Sequence, residues 1–160
     1  MSLLKEDIPI AILAVHKPCK ELIATISSQL FADDRLSFVK VFILLDDTVD
    51  INNMYTVCWL TCANVDFERD FRLANAPYQQ IVIDACMKNP QNYAFPRHWP
   101  NVVTASEKTI RSIDEKWEQF GLGNFISSPS KNYLKMKMGD GAKVWDIQEF
   151  NDSINQCLNG

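Results

Sequence analysis

Three aspartates that follow an apolar run form the most prominent acidic group of this sequence. Asp46, Asp47 and Asp50 come directly after residues 38–45 (Phe-Val-Lys-Val-Phe-Ile-Leu-Leu). Paired carboxylates at the carboxyl end of a buried strand can hold Mg²⁺, as in a phospho-acceptor receiver domain. A receiver also needs a further aspartate and a lysine at later strand ends, and the sequence offers no clear pair. We therefore favour a structural role for these carboxylates, in which they cap the next helix and solvate a turn.

The cysteines and histidines offer weaker chemistry. Cys58 and Cys62 fall on one face of a predicted helix, where a spacing of four residues can present two metal ligands. Further ligands are not evident nearby, so we expect both thiols to pack in the core as small apolar groups. His16 and His98 are far apart, and no local signature supports a Cys-His nucleophile. The five cysteines include no C-x-x-C pair, which favours a reduced, cytoplasmic protein.

Charged residues crowd at residues 66–70 (Asp-Phe-Glu-Arg-Asp). Arg69 lies between two acidic residues and three positions after Asp66, so its guanidinium can hold a carboxylate and stabilise a turn. The sequence contains no G-x-G-x-x-G, Walker or G-x-S-x-G motif. Residue chemistry alone therefore assigns no catalytic, cofactor-binding or metal-binding residue.

The hydropathy pattern predicts the elements that must position these groups. Residues 8–15 and 38–45 are continuous apolar runs, typical of strands buried on both faces. Between them we predict a helix that has Pro18 in its first turn and ends near Ala32. Its apolar face comprises Leu22, Ile23, Ile26, Leu30 and Phe31. Strand, helix and strand in this order predict a parallel βαβ unit with a right-handed crossover.

A second helix is predicted to begin after Asn52, which can cap it. Four of its residues recur at helical spacing: Tyr55, Cys58, Trp59 and Cys62. Residues 71–74 are predicted to form a short strand, and residues 81–83 either a strand or part of an ordered loop. Together these elements predict a three-layer α/β/α domain around a mostly parallel, mixed sheet.

The C-terminal third predicts further helices and an edge strand. Thr104 and Glu107 match a capping box, and Gly121 matches a helix terminator. The helix between them would bury Ile110, Ile113, Trp117 and Phe120. Leu134, Met136 and Met138 alternate with lysines, which predicts a half-exposed edge strand. A last helix is predicted to begin at Asp146.

Composition limits the class of protein. A length of 160 residues, 47% of them hydrophobic, with a net charge of −4 is typical of one soluble globular domain. Sixteen basic residues against 20 acidic ones, without a basic block, argue against nucleic-acid binding. The longest apolar run, residues 8–15, is much shorter than the ~20 residues that a membrane helix needs. The N-terminus also lacks the pattern of a signal peptide.

Several motifs, taken in order, resemble the C-terminal domain of the UbiD-type decarboxylases. Residues 46–50 (Asp-Asp-Thr-Val-Asp) are similar to the family's D-D/E-x-V-D turn, and residues 66–70 to its R-x-D-P-x-R-D motif. Residues 83–88 (Ile-Asp-Ala-Cys-Met-Lys) are similar to its I/L-D-A-T-x-K motif. The resemblance covers about residues 8–130. The sequence departs from the family pattern at Asn64, Phe67 and Cys86, where the family usually has Arg, Pro and Thr.

The resemblance implies a specific division of labour. UbiD-type enzymes decarboxylate aromatic or α,β-unsaturated acids with prenylated FMN, a divalent metal and K⁺, all held in a larger N-terminal catalytic domain. This chain would then be the C-terminal part, with residues 1–130 forming the domain and residues 131–160 a docked tail. It would support homo-oligomer assembly and active-site closure, with the N-terminal catalytic domain as its partner and no catalytic, cofactor or metal residue of its own.

The resemblance also defines one candidate structural or interface turn. Its residues are Asp46, Asp47, Asp50, Asp66, Arg69, Asp70, Asp84 and Lys88. Two alternative functions stay open at this point. One is a receiver-like signalling domain that uses Asp46 and Asp47, and the other is a stand-alone interaction module.

Overall fold

A computed structural model of the chain describes residues 2–3, 8–74, 79–96 and 99–136. These residues belong to two compact units, one within Met1–Trp99 and the other within Pro100–Asp146. In the described part of the chain, no helix is long and apolar enough to cross a membrane.

Among the residues that the structure describes, the first unit holds a five-stranded sheet and three helices. The strands are β1 (Ser2–Leu3), β2 (Ile10–Val15), β3 (Val41–Asp46), β4 (Phe71–Leu73) and β5 (Ile81–Asp84). The helices are α1 (Lys20–Ala32), α2 (Met54–Asn64) and α3 (Pro90–Tyr93), and a short 3₁₀ turn spans Asp34–Leu36.

The sheet is mixed, with the strand order β1-β2-β3-β5-β4. Its three central strands, β2, β3 and β5, are parallel, and each edge strand pairs antiparallel with its neighbour. In the register of these strands, Ala11 pairs with Phe42, and Leu44 pairs with Asp84. The predicted parallel pairing around α1 and the predicted α/β class are confirmed.

The main core lies between α1 and one face of the central strands. Ile23 and Leu30 of α1 are buried in one cluster with alternate residues of the strands, such as Ala11 and Phe42. Leu22, Ile26 and Phe31 are partly buried against the same cluster, so the predicted apolar face of α1 is confirmed. The strand residues that alternate with these, such as Ile12 and Leu45, are also fully buried. Because successive strand residues point to opposite faces, both faces of the sheet are covered.

Several predicted boundaries differ from the structure. Helix α1 begins at Lys20, because Cys19 is the N-cap and its sulfur accepts from the backbone N–H of Leu22 (3.4 Å); Pro18 therefore precedes the helix. Strand β3 begins at Val41 and not at the predicted Phe38. Phe38 lies in the turn that follows the 3₁₀ segment, and its side chain is exposed. The run at residues 81–83 is a strand, β5.

The second helix is capped by Asn53 and not by Asn52. The Asn53 side chain accepts from the backbone N–H of Thr56 (3.2 Å). The prediction that Cys58 and Cys62 pack in the core is wrong, because both are exposed. The buried side of α2 consists instead of Thr56, Val57, Leu60 and Asn64. Nearly every position of this helix is apolar or small and none is charged, so periodicity could not identify the inward face.

The second unit contains α4 (Glu107–Glu115) and two 3₁₀ segments, Trp117–Phe120 and Pro129–Met136. The predicted capping box is wrong: Ser106 caps α4, and the Thr104 hydroxyl donates to the Ser130 carbonyl (3.2 Å). Ile110 is buried as predicted, whereas Ile113 and Phe120 are exposed. Gly121 adopts the predicted left-handed conformation, with φ of 62°, at the end of the first 3₁₀ segment.

The predicted edge strand is also wrong for residues 134–136, which lie in the second 3₁₀ segment. Local turn closure, with the backbone N–H of Lys131 donating to the Ser128 carbonyl (3.2 Å), opposes an extended chain there. Met138 and the predicted last helix from Asp146 lie outside the described residues.

Candidate functional site

The carboxyl ends of the three parallel strands meet at one edge of the sheet. Asp46 is the last residue of β3 and Asp84 is the last residue of β5. Open α/β sheets commonly place binding sites at this edge, because loops and polar groups converge there. The loop after β5 carries Lys88, and the turn before β4 carries Arg69 and Asp70.

Lys88 is the centre of a buried charge network, and its side chain is fully excluded from solvent. Its ammonium donates to the backbone carbonyls of Asp84 (2.5 Å) and Cys86 (2.9 Å). Carboxylate oxygens lie 3.3 Å away on Asp84 and 3.5 Å away on Asp70. The Tyr93 ring centroid is 5.2 Å from the same ammonium. A buried lysine needs such partners, because an unpaired charge in a protein interior is strongly unfavourable.

The two buried carboxylates of the network are also held from other directions. Asp84 Oδ1 accepts from the backbone N–H of Cys86 (3.1 Å) and from the Tyr93 hydroxyl (3.3 Å). Asp70 binds the Arg69 guanidinium in a two-point contact, from Nε at 2.8 Å and Nη2 at 2.5 Å. With Lys88 and Arg69 charged, the network balances two positive charges against two negative ones.

Asp66 shapes the turn that delivers Asp70 to the network. The Asp66 carboxylate accepts from the backbone N–H groups of Glu68 (3.0 Å) and Arg69 (3.3 Å). Its own backbone N–H donates to the Asp70 carboxylate (2.8 Å). This is the turn chemistry typical of aspartate. The guanidinium of Arg69 also lies 4.8 Å from the centroid of the Phe95 ring.

Burial changes the acidity of the groups around the network. Asp46 is half-buried and accepts from the backbone N–H of Met87 (2.8 Å), and burial raises the pKa of its carboxyl. Burial also raises the pKa of the Cys86 thiol and of the Tyr93 phenol. Neither of these two groups is therefore prepared to act as a nucleophile or a base at neutral pH.

Asp47 and Asp50 lie outside this network. Asp47 Oδ2 is 2.6 Å from His16 Nδ1 at the surface, and Asp50 accepts from the backbone N–H of Asn52 (3.0 Å) in a local turn. Asp46 and Asp47 thus have separate partners, whereas a receiver needs both carboxylates at one cation. The structure joins Asp66, Arg69, Asp70, Asp84 and Lys88 directly, and Asp46 adjoins them through Met87.

Sequence reasoning missed Tyr93 and the short helix that carries it. Asn89 caps α3 by accepting from the backbone N–H groups of Gln91 and Asn92, and Pro90 occupies the first turn. An Asn-Pro pair is a recognisable signal of such a helix start. The Asn92 amide also donates to the Pro18 carbonyl (2.8 Å), which joins α3 to the loop before α1.

The charged side chains at the sheet edge pair with one another. Within the described ranges, no group of three or more His, Cys, Asp and Glu side chains could hold a metal ion. The buried acids of the network already pair with Lys88 and Arg69. Their arrangement is suited to holding two chain segments together at the sheet edge.

A mixed sheet with parallel central strands and a buried charge network at its carboxyl edge describes an α/β domain. The sequence profile of the 3-octaprenyl-4-hydroxybenzoate carboxy-lyase C-terminal domain matches residues 7–92. That range includes the central strands and every charged residue of the network, and it ends one residue before Tyr93. The chain therefore belongs to this family of C-terminal domains of UbiD-type decarboxylases.

Curated relatives are much longer than this chain. An uncharacterised protein of Aeropyrum pernix is 24% identical over an alignment of 102 residues, and the match covers 55% of this chain and 21% of that protein. One of Aquifex aeolicus is 26% identical over an alignment of 100 residues, with a coverage of 54% of this chain and 20% of that protein. One of Archaeoglobus fulgidus is 24% identical over an alignment of 124 residues, with a coverage of 69% and 26%. The chain thus spans about a fifth to a quarter of the length of these relatives.

The fold is also similar to a solved decarboxylase. The vanillic acid decarboxylase of Sedimentibacter hydroxybenzoicus, in an open form with one truncated subunit, matches with a TM-score of 0.52 and 16% identity. That match covers 72% of this chain and 27% of the other. A second structure of the open form gives a TM-score of 0.50 and 17% identity, covering 68% and 26%. At these identities the likeness shows a shared fold.

Proposed function

We propose that this chain is the C-terminal assembly and closure portion of a UbiD-like decarboxylase that acts on aromatic or α,β-unsaturated acids. The observation that carries the proposal is the family match over residues 7–92, in a chain that covers about a quarter of the solved decarboxylase. The catalytic N-terminal domain is the proposed partner. Prenylated FMN, a divalent metal and K⁺ are proposed to bind in that domain and not among the residues described above.

Closure is the proposed contribution of this domain to the reaction. The solved vanillic acid decarboxylase is in an open form. Movement of a domain beside an active site can admit substrate and then exclude water. A domain that moves as a unit must be internally rigid, and the Lys88 network supplies this rigidity where two turns meet at the sheet edge.

Assembly is proposed to use the turn at residues 66–70. Phe67 is 79% exposed at this turn, and its ring packs on Phe71, with centroids 4.9 Å apart. An aromatic side chain presented by a rigid turn is a common anchor of protein interfaces. The ion pairs of Asp70 with Arg69 and Lys88 fix the backbone that presents this ring.

The cofactor part of the proposal is tested by flavin retention. The purified chain is incubated anaerobically with prenylated FMN, Mn²⁺ and K⁺, desalted, and examined for flavin absorbance. A complete UbiD-type enzyme is the positive control. We expect no retained flavin, because the charged groups at the sheet edge already pair with one another. Retained flavin together with turnover would refute the proposed role.

The assembly part is tested by light scattering across a range of protein concentrations. We expect a homo-oligomer whose midpoint of dissociation rises about thirtyfold or more in Phe67→Ala, since an anchoring side chain contributes about 2 kcal/mol or more. Phe38→Ala removes another exposed aromatic ring and is the matched control. A monomer at every concentration, or equal effects of the two substitutions, would contradict the assembly role.

A further inference from the structure

The outward face of α2 carries two exposed free thiols. Cys58 and Cys62 are four residues apart in one continuous helix, so their side chains project from the same side, one turn apart. The other described cysteines differ: Cys86 is buried, and Cys19 is half-buried and caps α1. We refer to Cys58 and Cys62 as the α2 thiol pair.

The geometry of a helix favours a bridging atom between these thiols over a direct disulfide. Side chains at this spacing have Cβ atoms about 5–6 Å apart, whereas a disulfide requires about 3.5–4.5 Å. One ion placed between the sulfur atoms removes this mismatch, because two metal–sulfur bonds span a greater distance than one sulfur–sulfur bond.

The surroundings of the pair favour a soft ion over a hard one. Helix α2 contains no charged residue, and the exposed rings of Tyr55 and Trp59 lie on the same outward side as the thiols. Hard cations such as Mg²⁺ and Ca²⁺ select oxygen ligands, which this face does not concentrate. Thiolate ligands select soft ions, among them Cu(I).

We propose that the α2 thiol pair is a binding site for a soft, thiophilic ion, with Cu(I) held between the two sulfur atoms. On binding, each thiol releases its proton to solvent and each sulfur forms one bond to copper. Copper stays in the Cu(I) state, and the bis-thiolate complex carries one negative charge. No oxidant or reductant takes part. The site is independent of the proposed decarboxylase role, because it uses neither the sheet edge nor its charge network.

The test is an anaerobic competition titration of Cu(I) between the chain and a chromophoric Cu(I) chelator. All proteins carry Cys157→Ser, because that thiol lies outside the described residues. We expect one equivalent to bind tightly. Cys58→Ser and Cys62→Ser should each weaken binding about 100-fold or more, since the second sulfur contributes through its high effective concentration. Cys19→Ser is the matched control, with affinity expected to stay within about twofold.

A spacing variant separates the paired geometry from the number of thiols. Cys62→Ser combined with Ala63→Cys keeps the same thiol count but moves one sulfur to another side of the helix, at a position that is also exposed. We expect it to bind as weakly as the single variants. Phenylarsine oxide gives a second readout: its oxygen leaves as water with both thiol protons, and two arsenic–sulfur bonds form.

These titrations distinguish binding by the paired thiols from binding by separate thiols. One arsenical adduct on the chain that retains both thiols, and none on the spacing variant, would support the pair. Native-like Cu(I) affinity in the spacing variant or in either single variant would overturn the proposal. The proposal would also be overturned if the chain with both thiols did not bind one equivalent of Cu(I) tightly. Circular dichroism of each variant checks that the fold is retained, as expected for exposed positions.

Discussion

Replacing Lys88 by Met removes a buried charge while keeping a long, flexible, apolar side chain in its place. Lys88 is fully buried between the carboxylates of Asp70 and Asp84, which are 3% and 4% exposed. In Lys88→Met, Asp70 retains its contact with Arg69, and Asp84 retains two neutral donors within the described part of the chain, the Tyr93 hydroxyl and the backbone N–H of Cys86. The substitution therefore leaves a net negative charge in the protein interior.

The magnitude follows from the distances in the network. At an effective dielectric constant of about 20, unit charges at the observed 3.3 and 3.5 Å attract by about 5 kcal/mol per pair. Desolvation of the lysine and the two carboxylates opposes this attraction by several kcal/mol per ion. Measured losses on breaking one partner of a buried pair are about 3–5 kcal/mol, and we expect a loss in that range. Domains of this size are stable by only about 5–15 kcal/mol.

Urea unfolding followed by circular dichroism measures this loss as a change in the free energy of unfolding. The matched control is Lys20→Met, at an exposed position in the first turn of α1. Surface substitutions of this kind change the free energy of unfolding by about 0.5 kcal/mol or less. If Lys88→Met lowered the free energy of unfolding by less than about 1 kcal/mol, the network would not hold the two chain segments together at the sheet edge.

Three further predictions follow from individual contacts. Asp46→Asn keeps an oxygen that can accept from the backbone N–H of Met87 and removes a half-buried charge, so we expect its free energy of unfolding at pH 7 to equal or exceed that of the native chain. Because burial raises the Asp46 pKa, the folded state binds that proton more tightly than the unfolded chain does. The native chain therefore loses stability as the pH rises towards the raised pKa. Unfolding at several pH values should show that the difference in the free energy of unfolding between Asp46→Asn and the native chain shrinks as the pH falls. Asn53→Ala should cost about 1 kcal/mol in urea unfolding and Asn52→Ala close to nothing, since only the Asn53 side chain caps α2; equal losses would contradict this capping. Brief treatment with N-ethylmaleimide should label the α2 thiol pair and leave Cys86 unmodified, because Cys86 is buried and its thiol pKa is raised. Peptide mass mapping identifies the labelled thiols, and rapid labelling of Cys86 would show that the fold opens around that residue.

Local patterns determined the parts of the fold that depend on near neighbours. The apolar runs that became β2 and β3 are continuous and too short for buried helices, so parallel strands around a helix were predictable. The periodicity of α1 was equally informative, because its buried and exposed residues differ clearly in polarity. The ordered motifs at residues 46–50, 66–70 and 83–88 were enough to identify the family, since their sequence order and spacing are themselves linear properties.

Other features were decided by tertiary contacts between segments distant in the chain. Lys88 resembles any exposed lysine in a linear sequence. It is buried because β4 and β5 pair and bring carboxylate oxygens of Asp70 and Asp84 within 3.5 Å of its ammonium. The orientation of α2 was undecided for a related reason. All its residues are uncharged, so several rotations about the helix axis bury similar apolar area, and packing against the rest of the domain selected the one that exposes both thiols.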